Sequence, residues 1–125
     1  MPIEQTVHPL DRLIIGIATG NLTLPDLAAF SQNIIRANLL HYRKLLDTTH
    51  CTPVLSEKEL VALAQALRSV QTVRRRGPLA IIADPNRGEL AHLFAALGVD
   101  GRSAQVFRNI HDAREWLASK PVQDM

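Results

Sequence analysis

The chain has 125 residues, 46% of them hydrophobic, which is enough for one domain with a sizeable core. Its formal charge is only +2, from 14 basic against 12 acidic residues, and aromatics are 4%, so a concentrated basic face with stacking rings, as nucleic-acid binding requires, is not expected. A single Cys excludes an internal disulfide framework and fits a reducing compartment; no signal peptide or apolar span of ~20 residues is recognisable.

Residues 2–8 alternate loosely, with Ile3, Gln5 and Val7 on one side, and read as a short edge strand. After a turn over residues 8–11, the nearly apolar run LIIGIAT, residues 13–19, predicts a second strand and an antiparallel hairpin. Gly16 inside it marks a bulge or a close backbone approach. Gly20-Asn21 is expected to break the strand. Thr23 then opens a helix, with Pro25 in its first turn and Asp26 at the capping-box position. Leu27, Phe30, Ile34 and Ala37 form its apolar stripe, and the helix is expected to end near residues 38–41.

YRKLLDTT, residues 42–49, reads as a third strand despite Arg43 and Lys44, and residues 50–55 as a loop holding Cys51 and Pro53. Ser56 with Glu59 is a capping box; Leu60, Leu63, Ala64, Leu67 and Val70 follow at helical spacing. Arg74, Arg75 and Arg76 close that helix and Gly77 stops it.

The stretch RGPLAIIADPNRGELAHLFAALG, residues 76–98, organises the rest. Residues 79–83 have no polar interruption, which predicts a strand covered on both faces. Asp84-Pro85 ends it, Asn86 with Glu89 caps the next helix, Leu90, Leu93, Phe94 and Leu97 form its apolar side, and Gly98 stops it. AQVFR, residues 104–108, is the last strand. Asn109 with Asp112 caps a final helix whose core side is Ala113, Trp116 and Leu117 and which ends at Pro121.

The element order is β-β-α-β-α-β-α-β-α. It predicts an α/β domain over residues 1–121: a single mixed, mostly parallel sheet, an N-terminal antiparallel hairpin and four crossover helices, followed by a frayed tail at 122–125.

Three segments resemble the SpoIIAA-like proteins, small bacterial relatives of the STAS domain (the anti-sigma-factor antagonist fold). They are LIIGIATGNLTLPDLAAF, the strand end KLLDTT, and the closing QVFRNIHDAREWL, in which Val106, Phe107, Ala113, Trp116 and Leu117 fit a Val-Phe, Ala, Trp-Leu pattern. The match consists of core positions and bears on fold more than on activity. STAS antagonists carry a phosphorylatable Ser in an Asp-Ser-Ser-Gly segment at a helix start. Asp47 matches the acidic strand end and Ser56 the helix start here, but the double serine and glycine are missing. The resemblance also implies a helix able to open and admit an apolar ligand or meet a membrane.

The candidate phosphoacceptors are Ser56, Thr48 and Thr49: a phosphate at a helix N-terminus meets free N–H groups, although Ser56 also serves as an ordinary cap. His50-Cys51 offers two metal or thiol groups, but no second Cys exists and His8, His41, His92 and His111 show no ligand spacing. The turn Asp84, Asn86, Arg87, Gly88 lies where ligands of open α/β sheets bind, and could hold an anion; no GxGxxG or GxxxxGK[ST] fingerprint accompanies it, and no cofactor is implied. The triple arginine could meet an acidic partner or a membrane surface, or simply close a solvated helix end. A receiver domain would need carboxylates after an early strand, where this chain has Gly20-Asn21-Leu22.

The expected function is a non-enzymatic, cytoplasmic binding or regulatory module acting on a protein partner. The alternative is a carrier of a small apolar or lipid-like ligand with peripheral membrane contact. A homodimer through an uncovered sheet edge or face is a further expectation.

Overall fold

Among the described residues, five strands make one sheet in the order in which they occur along the chain, β1-β2-β3-β4-β5. The structure, a computed structural model, describes residues 3–54, 56–59, 61–62, 65, 77–84 and 104–120. Strand β1 (Ile3–His8) pairs antiparallel with β2 (Leu13–Thr23), placing Ile3 opposite Ala18 and Gln5 opposite Gly16. Strands β2, β3 (Arg43–Val54), β4 (Leu79–Ile82) and β5 (Ala104–Phe107) run parallel. The expected mixed, mostly parallel α/β sheet with an opening hairpin is therefore the observed architecture.

Helix α1 (Leu24–Arg36) connects β2 to β3, and helix α2 (Ile110–Ala118) follows β5. Helical residues at 57–59, 61–62 and 65 follow β3. The helix expected after Asn86, the apolar stripe from Leu60 to Val70, the triple arginine and the tail at 122–125 lie outside the described residues.

The alternation of side chains along each strand divides the core in two. On one face Ile3, Ile14, Ala18, Leu46, Cys51 and Ile81 meet Leu27, Phe30 and Ile34 of α1. On the other face Leu45, Ala80 and Ile82 meet Ala113 and Leu117 of α2. The Phe107 and Trp116 rings, with centroids 5.6 Å apart, extend this second cluster across β5. Strand β4 contributes to both clusters, as its uninterrupted apolar run predicts. Gly16 is the close approach foreseen in β2: a Cβ there would stand 2.8 Å from the Phe30 ring.

Three expectations are corrected. Residues 20–21 do not break β2, which continues to Thr23, and residues 50–54 are strand rather than loop. Each extension supplies the other's backbone partners, with Thr19 beside His50 and Thr23 beside Val54, and Gly20 takes the required φ of +69° without a side-chain clash. Helix α1 stops at Arg36, because Asn38 turns into the left-handed region at φ +63°; Ala37 is its exposed C-cap rather than a stripe residue.

Lys44 is a charged residue inside β3, and it is buried at 5% exposure. Its Nζ donates to the carbonyls of Leu40 at 2.6 Å, Tyr42 at 2.8 Å and Gly77 at 3.3 Å. Three ammonium hydrogens thus meet three carbonyls, which offsets the cost of burying the charge. Beside it, the Gly77 N–H donates to Leu40 O at 2.9 Å and the Lys44 N–H to Pro78 O at 2.8 Å. A Cβ on Gly77 would lie 2.2 Å from Tyr42 O, so only glycine admits this approach.

Lys44→Met keeps the side-chain length and strands the carbonyls; urea denaturation should show a loss of about 3 kcal/mol. Gly77→Ala should cost about 2 kcal/mol or more in the same assay through the clash with the backbone at 41–42.

Candidate functional site

Thr48, Thr49 and Asp84 lie near the carboxyl end of β4, while Ser56 follows the end of β3. Among the described residues, β4 pairs with β3 from Lys44 to Asp47, and beyond Asp47 the strands β2 and β3 continue as a two-stranded ribbon. The register along that ribbon slips once: Ile17 faces Asp47, but Thr19 faces His50. Ala18 on β2 therefore stands against both Thr48 and Thr49 on β3, which is a bulge.

The bulge is built by its own side chains. Asp47 Oδ1 accepts from the Thr49 N–H at 3.0 Å and from the Thr49 hydroxyl at 2.7 Å. These bonds occupy an amide that the slip takes off the ladder. The Thr48 hydroxyl points inward at 0% exposure and donates to Ile82 O at 2.7 Å. Of the three candidate phosphoacceptors, Thr48 is thus enclosed and bonded to β4, and Thr49 is half-buried and bonded to Asp47.

Ser56 sits at the far end of the ribbon and is exposed. Its hydroxyl accepts from the Glu59 N–H at 3.1 Å and reaches Glu59 Oε1 at 3.3 Å, while the Ser56 N–H donates to the same carboxylate at 3.0 Å. This is the capping box that the sequence spells out. Val54 and Val61, both exposed, flank it in the chain.

Asp84, half-buried, follows β4, whose Ile82 pairs with Asp47. Asp84 therefore lies at the level of the bulge. Val54 is roughly 16 Å farther along β3 than Thr49, at about 3.3 Å per residue. Ser56 and the Asp84 turn are thus separate places in the fold. Asn86, Arg87 and Gly88 lie outside the described residues.

His50 and Cys51 do not make a pair. Adjacent strand residues point to opposite faces: His50 is exposed, while Cys51 is buried at 1% exposure in the α1 cluster with its thiol 3.3 Å from Thr48 O. A different histidine does have neighbours. His111, Asp112 and Glu115 bring ligand atoms within 4.8 Å of one another on the exposed side of α2, with His111 Nε2 3.4 Å from Glu115 Oε1. The i, i+4 spacing of His111 and Glu115 puts both on one exposed side of the helix, an arrangement common on helices without a metal. Asp112 also takes part in the α2 cap, its N–H donating to Asn109 Oδ1 at 2.8 Å.

A concavity lies elsewhere, between β1 and α1. It measures about 300 Å³ and is lined by β1 residues including Gln5 and α1 residues including Ala29 and Phe30. No single residue type marks it in the sequence. It exists because a small side chain, Ala29, faces an edge strand. Among the described residues no helix is long and apolar enough to cross a membrane.

No family model and no curated protein matches the sequence. Among solved structures, the chain is similar to an uncharacterised protein of the DUF3478 family with a SpoIIAA-like fold from Shewanella loihica PV-4. The two share 21% identity at a TM-score of 0.59, over 92% of this chain and 91% of that one. The fold is SpoIIAA-like. The resemblance drawn from the strand ends and the closing helix thus holds at the level of architecture. Ser56 itself stands at a helix start beyond the end of β3, away from Asp47.

Two measurements follow. Thr48→Val should cost about 1 kcal/mol in urea denaturation by deleting the bond to Ile82. The Cys51 thiol should be inert to a disulfide reagent in the native protein and react fully once the chain is unfolded.

Proposed function

We propose that this protein is a non-enzymatic, cytoplasmic STAS-like binding or regulatory module that acts by contacting a protein partner at the tip of the β2–β3 ribbon. The observation that carries this reading is the exposed Ser56 hydroxyl at a helix start, flanked by exposed Val54 and Val61. Apolar side chains beside a hydroxyl suit a contact whose strength a modification changes. A phosphoryl group on Ser56 would compete with the Glu59 carboxylate for the helix-start N–H groups and would repel that carboxylate, reshaping the tip. The SpoIIAA-like fold supports a binding or regulatory role, and the separation of His50 from Cys51 gives no support to thiol chemistry between them.

A second reading, a carrier of a small, mainly apolar ligand between the sheet and a helix, is favoured by the concavity between β1 and α1.

Native mass spectrometry of gently purified protein separates the two. A co-purifying protein that is lost when Val54 and Val61 are both changed to Asp supports the regulator. A bound small molecule supports the carrier. Turnover that disappears with His50→Ala or Cys51→Ala would overturn both.

A further inference from the structure

The sheet ends at β1, and no described residue pairs with the outer edge of that strand. Such an edge holds a row of backbone N–H and C=O groups open to another chain. Proteins that keep an edge single protect it with lysine, proline, a bulge or a very short strand. Strand β1 carries none of these. Its six residues, IEQTVH, include no lysine, arginine, glycine or proline, and they pair one for one with β2 without a register shift. The nearest prolines, Pro2 and Pro9, stand just outside it.

Alternation divides the side chains of β1 between the two faces of the sheet. Ile3, Gln5 and Val7, opposite Ala18, Gly16 and Ile14, lie on the α1 face. Glu4, Thr6 and His8, opposite Ile17, Ile15 and Leu13, lie on the other face. Glu4, Thr6 and Val7 are exposed, and Glu4 has an apolar residue, Ile17, as its neighbour on β2 rather than a cation.

Two copies of β1 related by a two-fold axis through Thr6, normal to the sheet, pair antiparallel and keep their faces. Glu4 then stands directly opposite the second copy's His8, and the symmetry makes this pair twice. A histidine ring donates an N–H to a carboxylate whether it is neutral or charged. Thr6 meets its own copy, a favourable hydroxyl pair, and the exposed Val7 meets Gln5. Other registers lose this match. An axis through Glu4 sets two carboxylates against each other, one through Gln5 puts Glu4 against Thr6, and one through Val7 puts His8 against Thr6.

We propose that this protein self-associates through β1, a second copy adding its own β1 antiparallel in the register centred on Thr6. Two five-stranded sheets become one, closed by two Glu4–His8 pairs. The proposal is independent of the ribbon tip and of the β1–α1 concavity as a ligand site. A two-fold interface of this kind closes at two copies. A single strand pair is a small interface, so the dimer is weak and depends on concentration.

The test is sedimentation velocity on the full chain. The mass should rise toward twice that of one chain between about 10 µM and 1 mM. Glu4→Lys removes the acceptor and His8→Glu sets two carboxylates against each other, so each should weaken the dimer about tenfold. Mixed in equal amounts, the two variants place Lys opposite Glu and the remaining His8 opposite the remaining Glu4, and should associate as tightly as the original chain. A variant that merely failed to fold would not be rescued by mixing. Without any substitution, hydrogen–deuterium exchange at residues 4–8 should slow as the concentration rises. A chain that stays monomeric, a dimer indifferent to both substitutions, a mixture that does not recover, or exchange at residues 4–8 that is independent of concentration each overturns the proposal.

Discussion

The structure depends on one buried ammonium. Lys44 lies in the central strand, yet its Nζ gathers carbonyls from the turn after α1 and from the residues leading into β4. Those backbone segments converge there because Gly77 passes within contact of the carbonyls at 41 and 42. Without a cation the oxygens would face one another in a dry interior, which is unfavourable for dipoles as well as for unpaired acceptors. The register of β3 against β4 starts at this point, with Lys44 beside Leu79, and everything farther along both strands inherits it. Ala80 and Ile82 then reach α2, while Ile81 reaches the α1 cluster.

The second constraint is the loss of register between Ile17 and Thr19. A bulge in a parallel pair is uncommon, and this one is held by Asp47. It sets the phase of the ribbon so that Cys51 and Leu22 turn into the core while His50 turns to water. The same slip directs the Thr48 hydroxyl onto Ile82 O. Candidate phosphoacceptors that are neighbours in sequence therefore have different accessibilities.

Much of this was legible in the residues because the relevant physics is local. Thr23 with Asp26, Ser56 with Glu59 and Asn109 with Asp112 each satisfy amides within one turn, and all three contacts are present. The two-sided burial of β4 follows from an uninterrupted apolar run. The features that escaped are pairwise and non-local. The polar segments after Thr19 and Thr49 look like loops alone and become strand only against each other. Lys44 reads as an interruption until the carbonyls of Leu40, Tyr42 and Gly77 are seen around it. The β1–α1 groove depends on where α1 lies above the sheet, which no periodicity encodes.

The strands lie side by side in the sequence in which they are synthesised. Each newly made strand can therefore dock on an edge that already exists, and none has to be threaded between two earlier ones. On a ribosome, the hairpin of β1 and β2 would be available as a template before β4 has left the exit tunnel. Growth of this kind leaves the outer edge of β1 open throughout but moves the other unpaired edge steadily toward the C-terminus, which shortens the interval in which each later strand is open to another chain.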